Sequence, residues 1–141
     1  MNKVKRDRLL ITFCLLTGLV LDGCLSHPPA FVGNPMPAKQ VAGYLEILSP
    51  PSVYDTPPKF LNGYAPFYPP RLTSTAQEGY ALLEFNVTAD GTTSDIHIRK
   101  VTVLEFGEEA AAAVQNWHFT PARKNGRPVG VKVRLPFTFR V

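Results

Sequence analysis

Across the second half of the chain the spacing of apolar residues changes from a strand period to a helix period and back. Turn residues stand at each change, and this is the only part regular enough to build a core. From Tyr80 to Thr88, Ala81, Leu83, Phe85 and Val87 share one face, while Tyr80, Leu82, Glu84, Asn86 and Thr88 share the other. Ala89-Asp90-Gly91-Thr92 reads as a hairpin turn, because Asp-Gly tolerates the positive φ that tight turns between right-twisted strands demand. A second strand, about Thr93 to Val103, turns Ile96 and Ile98 inward. From Phe106 the period lengthens: Phe106, Ala110, Ala113, Val114 and Trp117 form one stripe of a helix, with Glu108 and Glu109 expected in its first turn. Pro121 ends the helical stretch, and Lys124-Asn125-Gly126-Arg127-Pro128 reads as an exposed basic turn.

The last strand alternates most clearly. Val129, Val131, Val133, Leu135, Phe137, Phe139 and Val141 share one face, and Lys132, Arg134, Thr138 and Arg140 share the other. Pro136 interrupts the outer face. A proline donates nothing to a ladder, so it places this strand at a sheet edge or on a bulge. An edge leaves main-chain donors and acceptors unpaired, which makes it a docking surface for another strand or for a second copy of the chain.

The 141 residues divide into three parts. Residues 1–23 carry Lys3, Lys5, Arg6 and Arg8, then an apolar run from Leu9 to Leu21, shorter than the roughly twenty residues a bilayer span needs. Leu21-Asp22-Gly23-Cys24 resembles a bacterial lipobox, in which Cys24 would become the lipidated mature N-terminus, though Asp22 departs from the usual small or neutral residue there. The alternatives are an uncleaved inner-membrane signal anchor and a plain secretory signal in which Cys24 is incidental. Leu25 is not the aspartate of an inner-membrane retention signal, so the lipobox resemblance implies an outer-membrane lipoprotein. Both main readings leave the rest of the chain facing the periplasm. Residues 24–65 hold most of the prolines and show no sustained period, which reads as a solvated linker; the apolar patch Val41 to Leu48 within it reads as a sticky linker segment. Residues 66–141 are then the folded domain.

Several function classes recede. Cys14 falls inside the apolar run and Cys24 at its end, which leaves no disulfide and no cysteine zinc site. Beyond residue 23 the basic residues exceed the acidic ones by two, too small a balance for a nucleic-acid partner. Asp95 and His97, two apart on a strand, resemble an acid-base pair, but no nucleophile or pocket signature accompanies them. His118 stands at a helix end and His27 in the linker, without ligand spacing. No enzyme, metal site or cofactor is expected.

An ordered set of residues resembles the TonB C-terminal domain family. It comprises Tyr68-Pro69, Gly79, the Asp90-Gly91 hairpin, Phe106 leading into the alanine-rich helix, Trp117-His118-Phe119-Thr120-Pro121-Ala122, Gly126-Arg127-Pro128-Val129, and Val133-Arg134-Leu135-Pro136-Phe137-Thr138-Phe139. The resemblance covers about residues 66–141. It implies an α+β fold, a small antiparallel three-stranded sheet with one packed helix, and the final strand at an edge. It also implies strand addition to an extended segment of an outer-membrane transporter, with force supplied by a proton-driven inner-membrane motor. Family transducers carry a full transmembrane helix with a motor-contacting histidine, whereas the apolar run here is short and lacks histidine. The partner-binding activity therefore carries over further than the force transduction. The alternative is a lipid-anchored structural or interaction lipoprotein of the envelope. Expected partner-binding residues are Tyr68, Val131, Lys132, Val133, Arg134, Leu135, Phe137 and Arg140, the cations favouring acidic or polar partner segments. Tyr68 has a second reading, a ring packed under the first turn of the domain.

Overall fold

The longest pairing among the described residues joins Gly79–Val87 to Val131–Phe139 in unbroken antiparallel register, from Gly79 opposite Phe139 to Val87 opposite Val131. The computed structural model describes residues 34–141. In chain order these hold helix α1 (Ala38–Tyr44), strands β1 (Glu46–Ile47) and β2 (Lys59–Asn62), a 3-10 helix (Pro70–Thr75), β3 (Gly79–Val87), β4 (Thr93–Val101), α2 (Leu104–Val114), β5 (His118–Thr120), β6 (Ala122–Lys124), β7 (Arg127–Val129) and β8 (Val131–Phe139). The main sheet runs β1-β8-β3-β4, with two further two-stranded ladders, β2-β5 and β6-β7.

This corrects the expected three-stranded sheet to four strands, because β1 adds to the outer side of β8 through Glu46 opposite Arg134 and Ile47 opposite Val133. The final strand is therefore second in order, and not a bare edge along its whole length. It is also shorter than the alternation suggested. Val129 belongs to β7, which pairs with β6 around Asn125-Gly126. Both turn residues have positive φ, 50° and 76°, the left-handed geometry of a two-residue hairpin.

Alternation is borne out where it buries one face. Ala81, Leu83, Phe85 and Val87 of β3 and Val131, Val133, Leu135, Phe137 and Phe139 of β8 are buried together. Helix α2 covers that face with Phe106, Ala110 and Val114, and Phe106 stacks on Phe139 at 4.5 Å. The helix begins at Leu104, so Glu105 occupies its first turn, and Glu108 and Glu109 come one turn later than expected. The helix stops at Val114 by itself, before Pro121, which instead separates β5 from β6. In β4 the register shifts twice against β3, each time taking up one extra residue, and Asp95, within the second of these bulges along β3, sits at φ 49°. At the β3-β4 turn Gly91 has φ 82°, and a Cβ there would lie 2.0 Å from the Phe119 carbonyl oxygen. Glycine alone fits both constraints.

Residues 34–65 depart from the solvated linker expected there. Phe60 of β2 is buried edge-on against Trp117 and Phe119, at 4.7 and 5.6 Å. The Trp117 indole N–H donates to the Tyr64 carbonyl at 2.9 Å, and Gly63 lies so close that a Cβ would approach the indole to 2.2 Å. Asp55 accepts from the Asn125 amide and from Lys124, at 2.7 and 2.8 Å, which ties this segment to the β6-β7 turn. Its prolines do suppress long ladders, but isolated anchors such as Val41 and Phe60 supply enough apolar burial to order the chain between them. Cys24 and the run Leu9 to Leu21 lie outside the described residues.

Candidate functional site

A residue in a strand points its N–H and C=O to the same side, and successive residues alternate. The Lys132 amide donates to Ser49 Oγ at 2.9 Å, and its carbonyl accepts from the Leu48 amide at 2.8 Å and the Ser49 amide at 3.4 Å. Lys132 thus faces away from β3. By the unbroken register so do Arg134, Pro136 and Thr138, while Val131, Val133, Leu135 and Phe137 bond toward β3. The missing N–H of Pro136 falls on the outer side, where it deprives β3 of nothing.

That outer side has two halves. Lys132 to Arg134 is covered by residues 46–49. From Leu135 onward no strand pairs with it among the described residues, and it opens on a groove of about 690 Å³. Pro136, Phe137, Thr138, Phe139 and Arg140 line one wall; Asn34, Pro35, Met36, Pro37, Gln40 and Tyr44 line the other, with Ala65 and Pro66. The far wall is held by its own anchors: Met36 donates to Gly63 O and Ala65 to Asn34 O, both at 2.9 Å, and Val41 of α1 is buried. Tyr44 stays 63% exposed, leaving an aromatic face available beside a main-chain edge.

On the solvent face of the sheet the charges alternate across all four strands. Glu84 of β3 accepts from Arg99 of β4 at 2.6 Å and from Nε and Nη2 of Arg134 at 3.0 and 2.6 Å; Arg134 Nη1 reaches Glu46 of β1 at 3.5 Å. The hydrogen bonds from Arg134, and next those from Arg99, hold the Glu84 carboxyl below its ordinary range. Two of the three Arg134 nitrogens are thus bonded to Glu84 and only Nη1 turns to Glu46.

Residues 64–141 match the family model described as the Gram-negative bacterial TonB protein C-terminal. The chain belongs to this TonB C-terminal family. Protein tonB2 of Pseudomonas aeruginosa is 32% identical over 83 residues, which are 58% of this chain and 31% of that protein. The chain therefore matches less than a third of the length of this curated relative. The solution NMR structure of Pseudomonas aeruginosa TonB CTD superposes with a TM-score of 0.54 at 27% identity, covering 62% of this chain and 89% of that one. The α+β fold expected from the TonB resemblance is thus present, with one strand more than expected.

The expected site residues separate under this geometry. Val131, Val133, Leu135 and Phe137 are core residues, because their side chains pack under α2 and their main chains serve β3. Tyr68 follows its second reading: the ring meets Phe106 edge-on at 5.8 Å, and its hydroxyl donates to Gln77 O at 2.7 Å, bracing the 3-10 helix. Lys132 and Arg134 present their side chains on the solvent face while their main chains pair with residues 46–49, and of the three cations only Arg140 borders the groove. The sequence placed main-chain bonding along Val131 to Phe139 without separating the residues that face away from β3, and it revealed neither the covering segment nor the far wall. The one available signal was the apolar patch Val41 to Leu48, too short to display a period. His97 stands opposite Glu84 in the ladder, and Asp95 accepts from Asn86 at 2.6 Å, so both belong to the strand surface. Among the described residues no three His, Cys, Asp or Glu groups converge as a metal site, and no helix is long and apolar enough to cross a membrane.

Proposed function

We propose that this chain is a TonB-type energy-transducer component that captures an extended segment of an envelope partner, an outer-membrane transporter, by strand addition to β8. One observation carries this reading: the outer side of β8 beyond Arg134 has no strand partner among the described residues and opens on a groove. Main-chain bonds to Pro136 O and to Thr138 supply affinity there, and alternate side chains of the guest enter the groove against Tyr44 and the proline-lined far wall. A groove of this volume is the size of an ordinary ligand site. The TonB family membership supports an envelope partner of this kind. Lipidation at Cys24 would hold the domain at the outer membrane, within reach of such partners, and an uncleaved anchor would hold it at the inner membrane, next to a proton-driven motor. Force transduction and self-association through the same edge belong to this proposal.

A photo-crosslinking residue at Thr138 in intact cells tests it, with Lys100 on the opposite sheet edge as control. The expected result is an adduct from Thr138 to an outer-membrane transporter and none from Lys100. Equal labelling from both positions, or none from Thr138, contradicts it.

A further inference from the structure

The covered half of the outer side of β8 is held by a segment built to stay short. Tyr44 ends α1 immediately before it, and Pro50-Pro51 immediately after it cannot extend a ladder. Between these stops only Glu46 and Ile47 pair as strand. The hold is light. Glu46 is 59% exposed at its side chain and approaches Arg134 Nη1 at 3.5 Å, longer than a good charge-assisted bond, and such exposed pairs add little stability. Ile47 and Leu48 are only half-buried.

The receiving side is, by contrast, rigid. Arg134 spends Nε and Nη2 on Glu84, which leaves Nη1 aimed outward whatever lies opposite. Val133 beneath is fully buried and Lys132 presents both main-chain groups. The Glu84 bonds to Arg134 do not involve residues 45–49, so they preorganise this edge for an occupant and lower the cost of binding one.

We propose that Leu45–Ser49 is a built-in occupant of the docking edge, displaced by a partner segment of like chemistry: an extended peptide with a carboxylate opposite Arg134 followed by an aliphatic residue. This rests on the strand-addition reading and adds to it both a partner requirement and a competitor. The competitor is tethered, so its effective concentration is on the order of millimolar, and a micromolar guest of equal intrinsic affinity is held off. A guest first seated along Pro136–Arg140 needs only to extend past Leu135 to replace it.

The test locks the occupant in place. Ile47 and Val133 face each other across the ladder, at the spacing an antiparallel pair offers a disulfide. The full chain carrying Ile47→Cys and Val133→Cys, with Cys14→Ser and Cys24→Ser, is titrated with a fluorescent peptide copying residues 43–52, oxidised and then reduced. The reduced form is expected to bind at least tenfold more tightly than the oxidised form. A peptide with lysine in the Glu46 position is expected to lose at least tenfold on the reduced form. Equal binding by both forms, or by both peptides, overturns the inference. Leu48→Pro in the native chain is a second route, since it deletes the amide that bonds Lys132 O; it is expected to raise peptide affinity at least tenfold, and no rise counts against the inference. Crosslinking from Thr138 does not involve residues 45–49. A transporter adduct there, combined with no effect of the lock, overturns this inference alone.

Discussion

The two halves of β8 share a buried face and differ on the side turned away from β3. Over Lys132 to Arg134 the main chain is bonded to residues 46–49 and a charge row crosses the sheet above it; over Pro136 to Arg140 the main chain borders a groove with an aromatic and proline-lined far wall. The same sequence alternation produces both halves. What separates them is a segment more than eighty positions away in the chain. The lesson is that strand character is local, whereas the availability of a strand edge is decided by whatever distant residues reach it.

The largest expected effect removes the distinction by dissolving the far wall. Trp117→Ala deletes a buried indole and the bond to Tyr64, and is expected to cost about 3–5 kcal/mol in urea unfolding. Gly63→Ala attacks the same joint more gently. Its Cβ would press on Trp117, for an expected loss of about 1–3 kcal/mol. A neutral result for either would mean that residues 34–65 do not depend on this joint.

The charge row sharpens the comparison through pH. The Glu84 carboxyl is lowered from an ordinary value of 4.5, first by the hydrogen bonds from Arg134 and then by those from Arg99. A carboxyl whose folded value is depressed stabilises the fold fully above its unfolded value, and that contribution is lost as pH falls through the folded one. Stability is therefore expected to decline below about pH 4.5 in the native chain, and to decline less steeply in Glu84→Gln, as read from Tm against pH. Identical slopes would mean that the Glu84 row does not stabilise the fold.

The smallest effect on folding has the greatest bearing on function. Thr138→Pro deletes an outward amide that β3 does not use. It is expected to change stability by less than about 1 kcal/mol while abolishing capture of the transporter segment in a pull-down. A large loss of stability would mean that Thr138 bonds inward.

Much of the fold was legible because it depends on local period. The alternation of β3 and β8, the stripe Phe106 to Val114 and the turn residues Asp90-Gly91 all mark elements the structure contains. Pro136 was expected to mark a sheet edge or a bulge; β8 instead lies second in the sheet with no bulge against β3, and Pro136 falls beyond the stretch that β1 pairs with. The failures share a cause. Glu46 and Ile47 form too short a strand to show a period, and Phe60 and Trp117 meet across a sequence gap that composition does not reveal. A proline-rich stretch therefore read as linker although scattered apolar anchors order it. Val131, Val133, Leu135 and Phe137 were expected to bind a partner from their place on the final strand; side-chain alternation buries them in the core, and Pro136, Thr138 and Arg140 line the groove.

Residue-resolved amide hydrogen exchange on the full chain tests the divided edge most directly. Slow exchange is expected at Leu48 and Lys132, whose amides are bonded across the covered half, and fast exchange at Thr138, whose amide faces the groove. Protection at Thr138 equal to that at Lys132, without any partner present, would contradict it.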